Sequence, residues 1–426
     1  MDRKWAVLVY MVADTGNSFY RSAVEDVTEM TEAKFDDSKV TVVVHADAPS
    51  PWLSKSWEVK SGAASELKGL SDECVLEFIT DCVEHYPAEN YLIVLWGHGE
   101  GIDWKQKILP KSPNGENLPG PDKRLWAGSK SALDVAELGT TLKELHTKVE
   151  RLELKDRDVL AKDRIVLGFD ACLMAMVEVY FEIHPYVTWA VAANDEIPDS
   201  GWSYREILTW LGENPDKGPE DLAKEIVDKC AEGYSDGKNK SAVSFSACNL
   251  SDKFSDALVA AVSELKTKMI GHLKTSPGKA IEAIKEARDF AEDLDEIAYV
   301  DLNAFCSKLE QVAERQDLSE LGGAANNVVT ALKEFARKTD FSAYYPRKYT
   351  EHSRAVSICF PKARNLEGSI QGIKVNLEAY KGLLFNEKTD WSTFWEAYWD
   401  NSAPKPPKPP KPSEETNQPL SSSANA

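Results

Sequence analysis

At 426 residues, with 42% hydrophobic and 28% charged side chains, the chain has enough apolar material for one large core or two ordinary ones, and its composition is not that of a disordered protein. The 70 acidic against 50 basic residues leave a net charge of −20, which argues against nucleic acid and anionic membrane as partners and favours basic ones. No run reaches the roughly 18 apolar residues of a membrane span, and seven scattered cysteines without a C-x-x-C spacing argue against a disulfide framework or a zinc site.

Residues 5–12 open the chain as a short apolar strand. Basic Met1-Asp2-Arg3-Lys4 precedes it, but the run is too short for most signal-peptide cores and meets Asp14 without a small-residue cleavage site. The chain as written is therefore expected in the cytoplasm, or outside the cell if a leader has been removed. A helical pattern over 18–34 leads to a strand over 40–45, and His45-Ala46-Asp47 reads as its closing turn. Residues 71–86 are helical, and 91–96 form a strand closed by Gly97-His98-Gly99. Residues 102–131, rich in Lys, Pro, Gly and Asn and without periodicity, predict a long exposed loop. A helix over 132–149 follows, then a strand over 164–169 that ends in Asp170-Ala171-Cys172. Beyond it come a helix over 173–181, a strand over 187–193, helices over 204–211 and 219–234, and a strand over 242–245. This alternation is the mark of βαβ units and predicts an α/β fold around a mostly parallel sheet.

After about residue 251 consecutive amphipathic helices take over, with a late strand over 356–360 and an aromatic-rich segment over 391–399. The expected organisation is a core over 1–250, a C-terminal helical subdomain over 251–400 packed on it, and a Pro/Lys-rich tail over 401–426. Within the tail, residues 404–412 (PKPPKPPKP) read as an extended polyproline II stalk followed by a disordered polar end.

Short apolar runs closed by Gly or Asp read as parallel strands buried on both faces, and open α/β sheets bind ligands beyond the carboxyl ends of their strands. Neighbouring strands lie roughly 4.8 Å apart. If 91–96 and 164–169 are neighbours, His98 and Cys172 meet over one crevice, a thiol nucleophile beside an imidazole base. The helical pattern from Leu173 onward predicts a sulfur near a helix N-terminus, whose partial positive charge favours thiolate. Asp170 reads equally as the cap of that helix or as an acid facing the crevice. Asn194, Asp195 and Glu196 lie just past the next strand and can wall the same pocket, with Asp195 read as a turn residue or as a second acid. The other six histidines and the other cysteines read as structural. The run Gly97-His98-Gly99-Glu100-Gly101 approaches a dinucleotide-binding pattern but lacks the helix that must follow it directly. A nucleotide-binding doubly wound α/β protein is the alternative from a different class.

Several segments together resemble one family. They are Trp5-Ala6-Val7-Leu8-Val9-Tyr10-Met11-Val12-Ala13-Asp14, Leu95-Trp96-Gly97-His98-Gly99 and Phe169-Asp170-Ala171-Cys172-Leu173-Met174, followed by Asn194-Asp195-Glu196, Gly201-Trp202-Ser203-Tyr204 and Asn214-Pro215-Asp216. They resemble the clostripain family of cysteine peptidases over most of residues 1–400. The resemblance implies a caspase-like three-layer α/β sandwich and an endopeptidase that cuts after Arg or Lys. A caspase-fold cysteine peptidase with a different preference before the cleaved bond is the nearer alternative. Carried over by position, Cys172 matches the nucleophile and His98 the general base of a dyad, with the amides of Gly99 and Cys172 as oxyanion donors and Asp170 as the acid under the substrate's basic side chain. Family members are nicked between the histidine and the cysteine, so Lys111 and Lys123-Arg124 in the long loop are the expected self-cleavage sites. A monomer or a nicked two-chain form is the expected state, and proteins or peptides bearing basic residues are the expected partners. The chemistry requires no cofactor. Some family members need calcium, but no ligand set can be picked out among 70 acids.

Overall fold

The computed structural model describes residues 3–14, 17–48, 54–68, 70, 74–102, 135–152, 160–235, 240–291, 298–342, 350–363 and 377–402. Lys111, Lys123, Arg124 and the Pro/Lys stalk lie outside the described residues.

The first strand, β1 (Trp5–Val12), is buried along its whole length because its alternating side chains enter two cores. Ala6, Leu8, Tyr10 and Val12 face one, and Trp5, Val7, Val9 and Met11 the other. Helix α1 (Asn17–Glu32) turns Phe19, Ala23, Val27 and Met30 onto the second face at helical spacing, and Asp26 goes with them. Next come β2 (Val40–Asp47), a hairpin of β3 (Lys55–Lys60) and β4 (Ala63–Leu67), α2 (Val75–His85), β5 (Asn90–Trp96) and α3 (Val135–Glu150). They are followed by β6 (Ile165–Asp170), α4 (Val177–Ile183), β7 (Trp189–Ala193), α5 (Tyr204–Glu213), α6 (Pro219–Ser235) and β8 (Ser244–Asn249). The remainder comprises α7 (Asp252–Thr275), α8 (Pro277–Ala291), β9 (Tyr299–Asp301), α9 (Leu302–Arg315), α10 (Ser319–Phe335), β10 (Ala336–Phe341) and β11 (Ser357–Cys359), closed by α11 (Leu377–Lys381), α12 (Leu384–Thr389) and α13 (Ser392–Ser402).

Among the described residues nine strands form one sheet, in the order β10-β8-β7-β6-β5-β1-β2-β3-β4. The five central strands run parallel, and β3, β4, β8 and β10 are added antiparallel at the edges. Helices α1, α5 and α6 cover one face, while α2, α3 and α4 cover the other. Helices α7 to α10 pack onto the same core as α2 to α4. Among the described residues no helix is long and apolar enough to cross a membrane. None of the seven cysteines forms a disulfide, and only Cys74 and Cys172 are not fully buried.

Four strands depart from the expectations. β3 and edge strand β4, the outlying hairpin, and β10 at the opposite edge went unpredicted because their sequences, KSWEVK, AASEL and ARKTDF, are polar, as the margins of a sheet demand. Because β10 pairs with β8, residues beyond 250 complete the main sheet as well as packing against it. The short β9 pairs with β11 in a separate two-stranded ribbon. The expected helix over 173–181 begins only at Val177. The aromatic closing segment packs against this ribbon: Trp391 and Trp395 donate their indole N–H groups to the Cys359 carbonyl at 2.8 and 3.2 Å.

Candidate active site

Strands β5 and β6 are neighbours, and their last residues, Trp96 and Asp170, stand opposite each other in the register. The Gly97 N–H donates to the Asp170 carbonyl at 3.1 Å, so the two chains leave the sheet side by side. That places His98 and Cys172 in the wall of one open cleft of about 280 Å³, shared with Asp170, Phe19, Ile197, Asp199 and Gly201. The His98 imidazole lies flat on the Phe19 ring, with centroids 4.2 Å apart and planes 4° apart.

Only glycine fits at position 99. A Cβ there would sit 2.0 Å from the Cys172 carbonyl oxygen, so the backbones that follow the two strands are in direct contact. Gly99→Ala is expected to push the loops apart, lowering turnover at least about a hundredfold and costing roughly 1–3 kcal/mol of stability. Steady-state kinetics and thermal unfolding measured on the same preparation check both effects.

After Cys172 the chain turns sharply instead of entering a helix. Leu173 takes a left-handed conformation, φ 60°, which is costly for a residue with a Cβ. The turn is held to the end of β7 by Leu173 N–H to Asp195 carbonyl (3.1 Å) and Ala175 N–H to Ala193 carbonyl (2.8 Å). With α4 starting five residues on, at Val177, the expected helix-terminus stabilisation of thiolate does not apply. Burial pushes the Cys172 thiol up to about 11, reinforced by Glu196, Asp170 and Asp195 and opposed by the Ile197 N–H, which donates to Sγ at 3.3 Å. The sulfur is therefore a thiol near neutral pH and needs a base to become a nucleophile.

Asp170 is 3% exposed and caps no helix. Its Oδ2 accepts from the Trp202 N–H at 3.0 Å and the Tyr204 hydroxyl at 2.8 Å. Its Oδ1 is buried with no hydrogen-bond partner among the described residues. Burial lifts this carboxyl to about 7 against the pull of those two donors. Behind it lies Asp26, whose Oδ2 accepts from the Trp96 indole N–H at 2.8 Å. Burial, then the charge of Asp170, raises Asp26 well above an ordinary carboxyl. Gly201, at φ 60°, closes the floor: a Cβ there would lie 2.8 Å from Asp170 Oδ2 and 2.9 Å from Asp26 Oδ2.

Two expected wall residues are elsewhere. Asn194 is fully buried away from the cleft, donating to Asp301 Oδ2 at 3.3 Å and accepting from the Ser244 hydroxyl at 2.5 Å. Asp195 serves the turn, its carbonyl bonded to Leu173 and its carboxylate accepting from the Glu196 N–H at 2.8 Å. The acid that lines the cleft is Asp199, four residues further on. Sequence reasoning also missed Asp26, although a carboxylate on the apolar stripe of α1 is a signal in itself, and it quoted Trp202 and Tyr204 without a role. His45 is fully buried between the Ser56 hydroxyl (2.9 Å) and Asp47 (3.1 Å). Among the described residues no three His, Cys, Asp or Glu side chains are arranged to hold a metal ion.

The model of the clostripain family matches residues 9–118 and 130–399. No curated protein matches the chain. Among solved structures, a secreted C11 cysteine protease from Bacteroides thetaiotaomicron, in complex with an irreversible peptide inhibitor, is 18% identical with a TM-score of 0.56, over 91% of this chain and 99% of its own. An inactive zymogen C11 protease from Parabacteroides distasonis is 15% identical with a TM-score of 0.54, again over 91% and 99%. At such identities the likeness is one of fold, the caspase-like α/β sandwich.

Proposed function

Starting from a chain that belongs to the clostripain family and is a cysteine peptidase, we propose that it is an endopeptidase cleaving after Arg or Lys, with Cys172 as nucleophile and His98 as general base and acid. The observation that carries this reading is the buried Oδ1 of Asp170, which has no hydrogen-bond partner among the described residues and lies in the same cleft as His98 and Cys172. A buried acceptor without a donor is costly, and a guanidinium or ammonium group supplies the missing donor together with the opposite charge. Asp199 adds a second acid on the exposed side of the cleft.

In this mechanism the imidazole of His98 removes the proton from Cys172 Sγ as the sulfur attacks the carbonyl carbon after the basic residue. The carbonyl π pair moves to oxygen, and the N–H groups of Gly99 and Cys172 receive the developing oxyanion. Collapse breaks the C–N bond, and the imidazolium returns its proton to the leaving amine. Water, deprotonated by His98, then splits the thioester, and the sulfur leaves with the proton restored. None of these steps uses a metal. Peptides differing only in Arg, Lys or Asp before a reporter group, compared side by side, test the preference: turnover of the Asp peptide equal to that of the other two would refute it.

The same specificity extends to the chain itself. Cleavage after Lys111 or within Lys123-Arg124 is the expected self-processing, giving two bands on a denaturing gel. Purified Cys172→Ala protein should stay as one band, and nicking of that variant in isolation would rule the idea out.

A further inference from the structure

We propose that the β9–β11 ribbon is the positioning element of the active site, with the Tyr299 hydroxyl setting the loop that carries His98 against Cys172; this rests on the dyad reading above. The Tyr299 side chain is buried, and its hydroxyl donates to the Glu100 carbonyl at 2.9 Å while accepting from the Ile102 N–H at 3.0 Å. Those two backbone groups belong to the turn directly after His98-Gly99. A hydroxyl can serve both at once, whereas an apolar ring edge can serve neither. The turn also rests on the ring itself. Gly101 is left-handed, φ 61°, and a Cβ there would lie 2.9 Å from Tyr299 Cε2 and 2.6 Å from Met176 Sδ.

The ribbon reaches the other two loops as well. On β11 the Ser357 N–H donates to the Ala175 carbonyl at 2.8 Å, and Ser357 forms a bridge with Met176, which fixes the segment just past Cys172. At the end of β9, Asp301 Oδ2 accepts from Asn194 at 3.3 Å and from the Ser353 hydroxyl at 2.5 Å. Asn194 begins the stretch whose Ile197 N–H bonds to the Cys172 sulfur. Three separate strand-end loops thus converge on one pair of short strands contributed by the C-terminal half. This accounts for the buried polar chain Ser244, Asn194, Asp301 and Ser353, which touches no substrate surface but holds the loop behind the nucleophile.

The test uses the full chain and two readouts, turnover of an Arg reporter peptide and the pH profile of Cys172 alkylation by iodoacetamide. Tyr299→Phe is expected to lower kcat about 10–100-fold with KM changed less than about twofold, since misplacement of a reacting group by around 1 Å has that cost. Its alkylation profile should move toward that of His98→Ala. Tyr91→Phe removes another buried hydroxyl, one that accepts from the Ala88 N–H at 3.0 Å near the start of β5, at the end of the strand opposite the cleft, and should keep the parent's kcat and profile. Parental kcat and profile in Tyr299→Phe would overturn the proposal, as would an equal loss in Tyr91→Phe. If Tyr299→Phe does not fold, Gly101→Ala displaces the same turn by setting a Cβ against the Tyr299 ring and Met176 Sδ, and is held to the same outcomes. An alkylation profile of His98→Ala identical to the parent's would instead refute the dyad. A parent inert toward Arg and Lys peptides would refute only the specificity and leave the alkylation comparison decisive.

Discussion

Cys172→Ala and His98→Ala are each expected to lower kcat by about four orders of magnitude or more, and the double variant is expected to be no worse than the poorer single one. The two groups act as a unit. Burial holds the Cys172 thiol at about 11, so without the imidazole almost no sulfur is nucleophilic near neutral pH. Without the sulfur the imidazole has nothing to activate except water. Losses that multiplied in the double variant would show the two side chains working independently. Circular dichroism and unfolding curves should be unchanged by His98→Ala, whose side chain is exposed, with its flat face on Phe19.

Asp170→Asn is expected to separate activity from stability. Removing one member of a buried ion pair costs roughly 3–5 kcal/mol, so kcat/KM on Arg and Lys peptides should fall about 10²–10⁴-fold. In the parent, KM for such peptides should drop as pH rises through about 7, where Asp170 ionises. Stability should move the other way. A carboxyl whose folded value is raised from 3.8 to about 7 favours the folded state fully below its ordinary value, and that contribution is lost as pH climbs through 7. Asparagine has no charge to bury, and its amide oxygen can still accept from Trp202 and Tyr204. At pH 8 the variant should therefore unfold at a higher temperature than the parent, by a margin on the order of 1–3 kcal/mol, and the margin should vanish toward pH 4. Equal melting temperatures at pH 8, or retained cleavage after Arg and Lys, would contradict the assignment of Asp170 as an ionising pocket floor.

The centre of the molecule was legible because strands buried on both faces are written as unbroken apolar runs. β1, β5 and β6 are such runs, and the residues that end β5 and β6 announce the strand ends. What could not be read is what long-range contacts decide. The run from Leu173 to Val179 has good helix formers, yet its first half is held as a turn and a bridge by backbone bonds to Ala193 and Asp195 and by the pairing with Ser357. No local pattern reports those partners. The same holds for the loop after β7, where tertiary bonds turn Asn194 inward and bring Asp199 rather than Asp195 to the cleft. The edge strands were hidden for the opposite reason, since polar composition at a sheet margin looks like loop.

The strand order divides at one seam. β4, β3, β2, β1 and β5 all come from residues before 103, while β6, β7, β8 and β10 all come from residues after 134. A single cut anywhere between turns the molecule into two paired polypeptides, each bearing one member of the proposed dyad at the join, with neither able to cover its exposed strand edge alone. Native mass spectrometry should then weigh the cleaved protein as one particle. Recovery from denaturant, first-order for the intact chain, should become second-order, so that dilution alone slows the return of activity.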